Sequence, residues 1–120
     1  SLGLQLYGEG VTIGVWDGGA ILQDHEEFGA IGSEGNKIEV LETESQVVDG
    51  SHPTAVTSTI IASGLFHATN YNVTGIAPQI DKLLYRNWDD AENEVTDALN
   101  TNDGFILSNH SYGFNIYDKE

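Results

Sequence analysis

The chain has 120 residues, 39% of them hydrophobic, with 19 acidic side chains against 4 Lys and Arg, a net charge of −15 and no Cys. That length suits one small domain or part of a larger one, and the charge repels phosphate backbones and anionic lipid, which argues against nucleic acid and membrane surfaces as partners. No apolar run approaches the roughly 18 residues of a membrane span, no leader-type basic and apolar pattern opens the sequence, and the lack of Cys rules out thiol chemistry and zinc–thiolate sites.

Val11–Asp17 reads as a strand buried on both faces, because Val11, Ile13 and Val15 alternate with small or bulky neighbours and not with charges. It ends at Asp17-Gly18-Gly19, a turn signal. Lys37–Leu41 is a shorter strand with one polar face, and the acidic, Ser- and Gly-containing residues 42–51 form the next loop. A helix is expected over Pro53–Ser63, with Pro53 at its first position, Val56 and Ile60 on its buried face and Gly64 as its stop. Residues 65–74 read as a polar loop, and Gly75-Ile76-Ala77-Pro78 as a turn into a third strand, Ile80–Arg86. Asp89 and Asp90 open a second helix, since carboxylates face the partial positive charge of a helix N-terminus. Ala91, Val95, Ala98 and Leu99 mark its buried face. Gly104 restarts the chain as a fourth strand, Phe105–Ser108. Strands alternating with helices predict an α/β fold of three layers, a mostly parallel sheet with helices on both faces.

Four segments, in order, resemble the subtilisin-like (S8-type) serine peptidases. Gly10–Gly19 (GVTIGVWDGG) is similar to the family strand that delivers the catalytic aspartate, and His52–Ile60 (HPTAVTSTI) to the helix that begins at the catalytic histidine. Gly75-Ile76-Ala77-Pro78 resembles the Gly-Val-Ala-Pro turn, and Ser108–Gly113 (SNHSYG) the Asn-x-Ser-x-Gly segment that lines the substrate cleft. The wording of VWDGG and SNHSYG is similar to members from the Bacteroidetes group. The resemblance spans essentially the whole chain and implies the N-terminal half of a peptidase domain, with the sheet order 2-3-1-4. It also implies a polypeptide substrate and a secreted or cell-envelope location.

The chemistry implied is peptide hydrolysis through an acyl-enzyme. A hydroxyl is a poor nucleophile at neutral pH, so a neutral imidazole must take its proton and a buried carboxylate must hold that imidazole in one tautomer. The resemblance assigns the carboxylate to Asp17, the base to His52, and substrate pairing to Ser111, Tyr112 and Gly113. Each residue taken alone has a plainer reading: an Asp-Gly turn, a loop histidine, a strand end with a Gly turn. The serines stand at 1, 33, 45, 51, 58, 63, 108 and 111, none in the family's Gly-Thr-Ser-x-Ala/Gly turn. The nucleophile and the rest of the domain are therefore expected as a partner segment beyond these residues, and the chain by itself is expected to be inactive. Pro53, Ala55, Thr57 and Ser58 depart from the family pattern His-Gly-Thr-His-Val-Ala-Gly-Thr. They keep open a second reading, a catalytically dead module that binds peptides or proteins.

No cofactor is required by this chemistry. Calcium is an optional ligand by resemblance, since Glu27 stands where some members carry a calcium-binding acid, with Asn70 and Asn72 in the facing loop. A solvated acidic loop is the reading preferred for Asp24-His25-Glu26-Glu27, so no metal site is assigned. His67 and His110 have no partner evident from sequence, whereas Tyr71, Tyr112 and Tyr117 are of a type that rims clefts. The strand Phe105–Ser108 would lie at an open sheet edge, and self-association through it is expected.

Overall fold

The structure is a computed structural model that describes residues 5–29, 36–42, 50–64, 73–101, 104–105 and 107–113. Its four strands are β1 (Thr12–Asp17), β2 (Ile38–Val40), β3 (Lys82–Asn87) and β4 (Leu107–His110), and its helices are α1 (Ser51–Ile61) and α2 (Ala91–Thr101). All neighbouring strands pair in parallel, in the order β2-β3-β1-β4. This is the predicted α/β architecture and the expected strand order. A strand order speaks to fold and leaves the chemistry to the site.

The period of two in β1 separates the layers. Ile13 and Val15 join Leu83 and Tyr85 of β3, Ile38 of β2 and Ile61 of α1 in one apolar cluster. Trp16 points the other way, fully buried, and its indole N–H donates to Glu94 Oε2 of α2 at 2.8 Å. Helices therefore cover both faces of the sheet.

Helix α1 departs from its predicted bounds. It starts at Ser51, so Pro53 is its third residue and not its first. The position is still free of cost, because the first intrahelical bond is Thr54 N–H to Gly50 C=O at 3.1 Å and the missing Pro N–H would have had no helical acceptor. His52 is thus inside the first turn, where a cap residue had been expected. The buried stripe is Pro53, Thr57 and Ile61, with Val56 and Ile60 at its flank. The helix ends at Ile61 with Ala62 as its cap, short of the predicted Gly64 stop. The reason is the Gly75–Ala77 turn, which takes over the terminal carbonyls: Gly75 N–H bonds Ala62 C=O, Ile76 N–H bonds Thr59 C=O and Ala77 N–H bonds Ile60 C=O. A side chain at Gly75 would stand 2.6 Å from the backbone of Ile60 and Ala62, so only glycine permits this docking.

Helix α2 starts where the acidic pair predicted, with Glu94 N–H on Asp90 C=O at 3.1 Å. Ala91 and Ala98 are buried, but Leu99, expected on the inner face, is 64% exposed. Strand β4 begins two residues later than predicted and absorbs Asn109 and His110. Ile106 and residues 65–72 of the loop predicted over 65–74, with His67, Asn70, Tyr71 and Asn72, lie outside the described residues, as does Tyr117.

Candidate active site

Asp17 is the last residue of β1 and shares the face of Ile13 and Val15, which aims its carboxylate at α1. It is 2% exposed. His52, in the first turn of α1, closes on it: Nδ1 stands 2.8 Å from Asp17 Oδ1. A carboxylate only accepts, so Nδ1 carries the proton of the neutral ring and the lone pair of Nε2 is left available. The two side chains differ sharply in setting, 2% exposed for Asp17 against 60% for His52. The carboxylate is shielded and the imidazole reaches solvent. Among the described residues nothing hydrogen-bonds Nε2.

Local contacts fix this pair. Gly18 N–H donates to the same Asp17 Oδ1 at 2.7 Å, tying the carboxylate to the turn that follows it. Tyr85 on the neighbouring strand donates its hydroxyl to Gly19 C=O at 2.6 Å, bracing that turn from below. Burial, then the Asp17 and Glu42 carboxylates, push the Tyr85 phenol well above the ordinary tyrosine range, so it stays a donor. The chain after the turn also grips α1, through Leu22 N–H to Thr54 Oγ1 at 3.0 Å. A side chain at Gly50 would collide with the Ala20 carbonyl oxygen, so glycine lets the start of α1 approach the strand end. Asp17 Oδ2 is buried and has no hydrogen-bond partner among the described residues. One carboxylate oxygen thus carries both bonds while the other has none.

Ser111, Tyr112 and Gly113 follow β4 directly. His110 stands opposite Trp16 in the register, so this segment leaves the sheet one strand from Asp17 and at the same carboxyl edge, where α/β sites form. The structure thus brings together Asp17 and His52 in direct contact and places residues 111–113 on the adjoining strand end. Ser111 Oγ donates to Asn109 Oδ1 at 2.7 Å. His110, without an evident partner in the sequence, has two: Nδ1 lies 2.8 Å from the Tyr112 hydroxyl and Nε2 3.2 Å from Ser108 Oγ.

The residues that break the sequence pattern of α1 sit differently from one another. Ala55 and Ser58 line an open groove of about 690 Å³ with Ala20, Ile21 and Leu22. Thr57 is fully buried, and its hydroxyl has no partner among the described residues.

Glu27 is not the solvated loop acid that was expected. Its Oε2 accepts from Ser63 Oγ at 2.8 Å and from Gly64 N–H at 2.7 Å, holding the segment after α1. His25 Nδ1 accepts from Glu27 N–H and caps the short turn Glu26–Phe28. Among the described residues no group of three or more His, Asp and Glu side chains is disposed to hold a metal ion.

Tyr85, Gly50 and Thr54 escaped the sequence reading. Tyr85 carries a signal in hindsight, a polar aromatic in an apolar strand. Gly50 and Thr54 carry none, since their partners are backbone groups distant in sequence. No family model, no curated protein and no solved structure matches the chain.

Proposed function

We propose that the chain supplies the acid–base half of a subtilisin-like serine endopeptidase, with His52 as general base and then general acid and Asp17 as its orienter. The 2.8 Å bond between the buried Asp17 carboxylate and His52 Nδ1 carries this reading. It holds the imidazole in the tautomer whose Nε2 takes a proton from a serine hydroxyl, and it stabilises the imidazolium that results. The proton then passes from Nε2 to the leaving amine. The nucleophile and the main oxyanion donors belong, on this proposal, to residues beyond position 120. Ser111, Tyr112 and Gly113 would pair with the peptide as an added strand, and calcium remains an optional ligand outside the chemistry.

The second reading is a catalytically dead module that binds peptides. Pro53, Ala55 and Ser58, in place of the Gly, His and Gly of the family pattern, favour it.

The test is peptide hydrolysis by the longest product of the gene. Asp17→Asn should lower kcat by about 10⁴, the loss seen when a triad carboxylate becomes an amide and the imidazole takes the wrong tautomer. His52→Ala should lose at least as much. Hydrolysis unaffected by either change overturns the triad, and no hydrolysis with retained peptide binding selects the second reading.

A further inference from the structure

The imidazole of His110 stacks on the buried indole of Trp16, with ring centroids 5.1 Å apart and planes 10° from parallel. That indole is fixed in turn by Glu94 on its N–H, and by the Arg86 guanidinium 5.3 Å from its centroid. From this anchored ring, His110 Nδ1 reaches the Tyr112 hydroxyl at 2.8 Å. The Tyr112 ring then packs on Trp88, at 5.1 Å and 32°. Together these contacts run from the core of the sheet to the middle of the segment 111–113. Tyr112 and Trp88 also form a wall of an open cavity of about 230 Å³ at the start of α2.

We propose that His110 is a positioning residue for peptide binding, holding the Tyr112 ring against Trp88 so that residues 111–113 keep one conformation. The proposal rests on the reading of 111–113 as the peptide-pairing segment. Histidine does both parts of the task here. Phenylalanine would stack on Trp16 but not bond Tyr112, and glutamine would bond but not stack. The segment is short, with Tyr112 and Gly113 exposed, so without this tether Tyr112 loses its orientation and each bound peptide must restore it at an entropic cost. Neutral or protonated, His110 finds complementary partners in the hydroxyls of Ser108 and Tyr112, since each can donate or accept.

Two measurements on the 120-residue chain test this. The first is the nuclear Overhauser contact between the Tyr112 and Trp88 rings at one fixed pH. The wild type should show it, and His110→Phe and Tyr112→Phe, each of which removes the bond between residues 110 and 112, should both weaken it. A contact unchanged in both variants overturns the tether. The second is anisotropy of a fluorescein-labelled Ala-Ala-Pro-Phe peptide. His110→Phe and Tyr112→Phe should each weaken binding about fivefold, and the double variant no further, because one bond is removed once. Additive losses, or none, overturn the positioning role even where the ring contact behaves as expected. If the wild type does not bind the peptide, the pairing segment itself is wrong and the peptide role of His110 falls with it, while the ring contact still decides whether His110 holds Tyr112.

Discussion

Trp16 and Asp17 are adjacent in the chain and serve opposite layers of the sheet. Trp16 is bonded to Glu94 of α2, and Asp17 to His52 of α1. The pleat of one strand thus gives one residue to the core under α2 and the next to the candidate site. A slip of β1 by one residue would exchange the anchor and the acid, burying the indole where the carboxylate stands. The site depends on the register of β1 as much as on its two functional side chains.

His52→Ala should destabilise the chain although His52 is mostly exposed. The Asp17 carboxylate is buried, its Oδ2 is already without a partner among the described residues, and the substitution removes one of the two bonds on Oδ1. A hydrogen bond to a charged group contributes about 1.5–3 kcal/mol. Urea unfolding should show a loss of that order, and the loss should shrink when Asp17→Asn is already present. Equal losses in both backgrounds would mean that the bond contributes nothing to folding.

Gly50→Ala should disturb the Asp17–His52 pair without touching either residue. The added methyl meets the Ala20 carbonyl oxygen, which is backbone and cannot turn away. Overpacking of this kind costs about 1–3 kcal/mol, and relief requires α1 to move from the strand end. The Nδ1 proton of His52 in an NMR spectrum reports the hydrogen bond directly. It should broaden or vanish in Gly50→Ala and persist in Gly29→Ala, where the backbone has an ordinary φ of −78° and the added atom meets only the Glu26 carbonyl oxygen at 3.8 Å.

Tyr85 should make the fold sensitive to alkali. Its phenol is held above the ordinary value of 10.0 by burial and then by the Asp17 and Glu42 carboxylates. Below about pH 10 the proton is bound in folded and unfolded states alike, and its stabilising contribution is complete. Above that pH the unfolded phenol ionises and the folded one does not, so the unfolded state binds fewer protons and stability falls as pH rises. The slope is about 1.4 kcal/mol per pH unit for one such group. Tyr85→Phe should lose the bond to Gly19 at neutral pH and should flatten the alkaline limb of a stability curve. An unchanged limb would assign the alkaline loss to other groups.

Thr57→Val should stabilise the helix side of the core. The two side chains are nearly the same shape, and the hydroxyl being removed is buried without a hydrogen-bond partner among the described residues. Such a group costs about 1–3 kcal/mol. A thermal midpoint raised by several degrees is the expected result. A lowered midpoint would show that the hydroxyl is bonded in solution.

β4 is an edge of the described sheet, pairs only with β1 there, and exposes 60% of Leu107. Open edges recruit other strands. The 120-residue chain by itself should therefore associate through β4, and added salt should promote this by screening the net charge of −15. Sedimentation across salt concentrations with hydrogen exchange checks it. A monomer at every salt concentration, with Leu107–His110 as protected as β1, would refute association at this edge.

The sequence by itself determined the layers and the order of elements. Apolar alternation in β1, the acidic start of α2 and the Gly75–Pro78 turn are local signals, because each depends on backbone preferences or on neighbours within one turn. Asp17 and His52 were singled out by resemblance and not by pattern, which taken alone reads them as an Asp-Gly turn and a loop histidine. What the tertiary structure decided lies in contacts between distant segments. The Gly75–Ala77 turn docks on the carbonyls at the end of α1 and closes that helix before Gly64. Tyr85 braces the turn after Asp17 from 66 residues away, and Glu27 folds back on Ser63 and Gly64 where a solvated acid was expected. His110 meets the Trp16 ring only because β4 aligns the two across the sheet. Periodicity reports which face of an element is buried, but not which residue of another element meets it there. That pairing is set by sheet register and helix placement, which arise only when the whole chain packs.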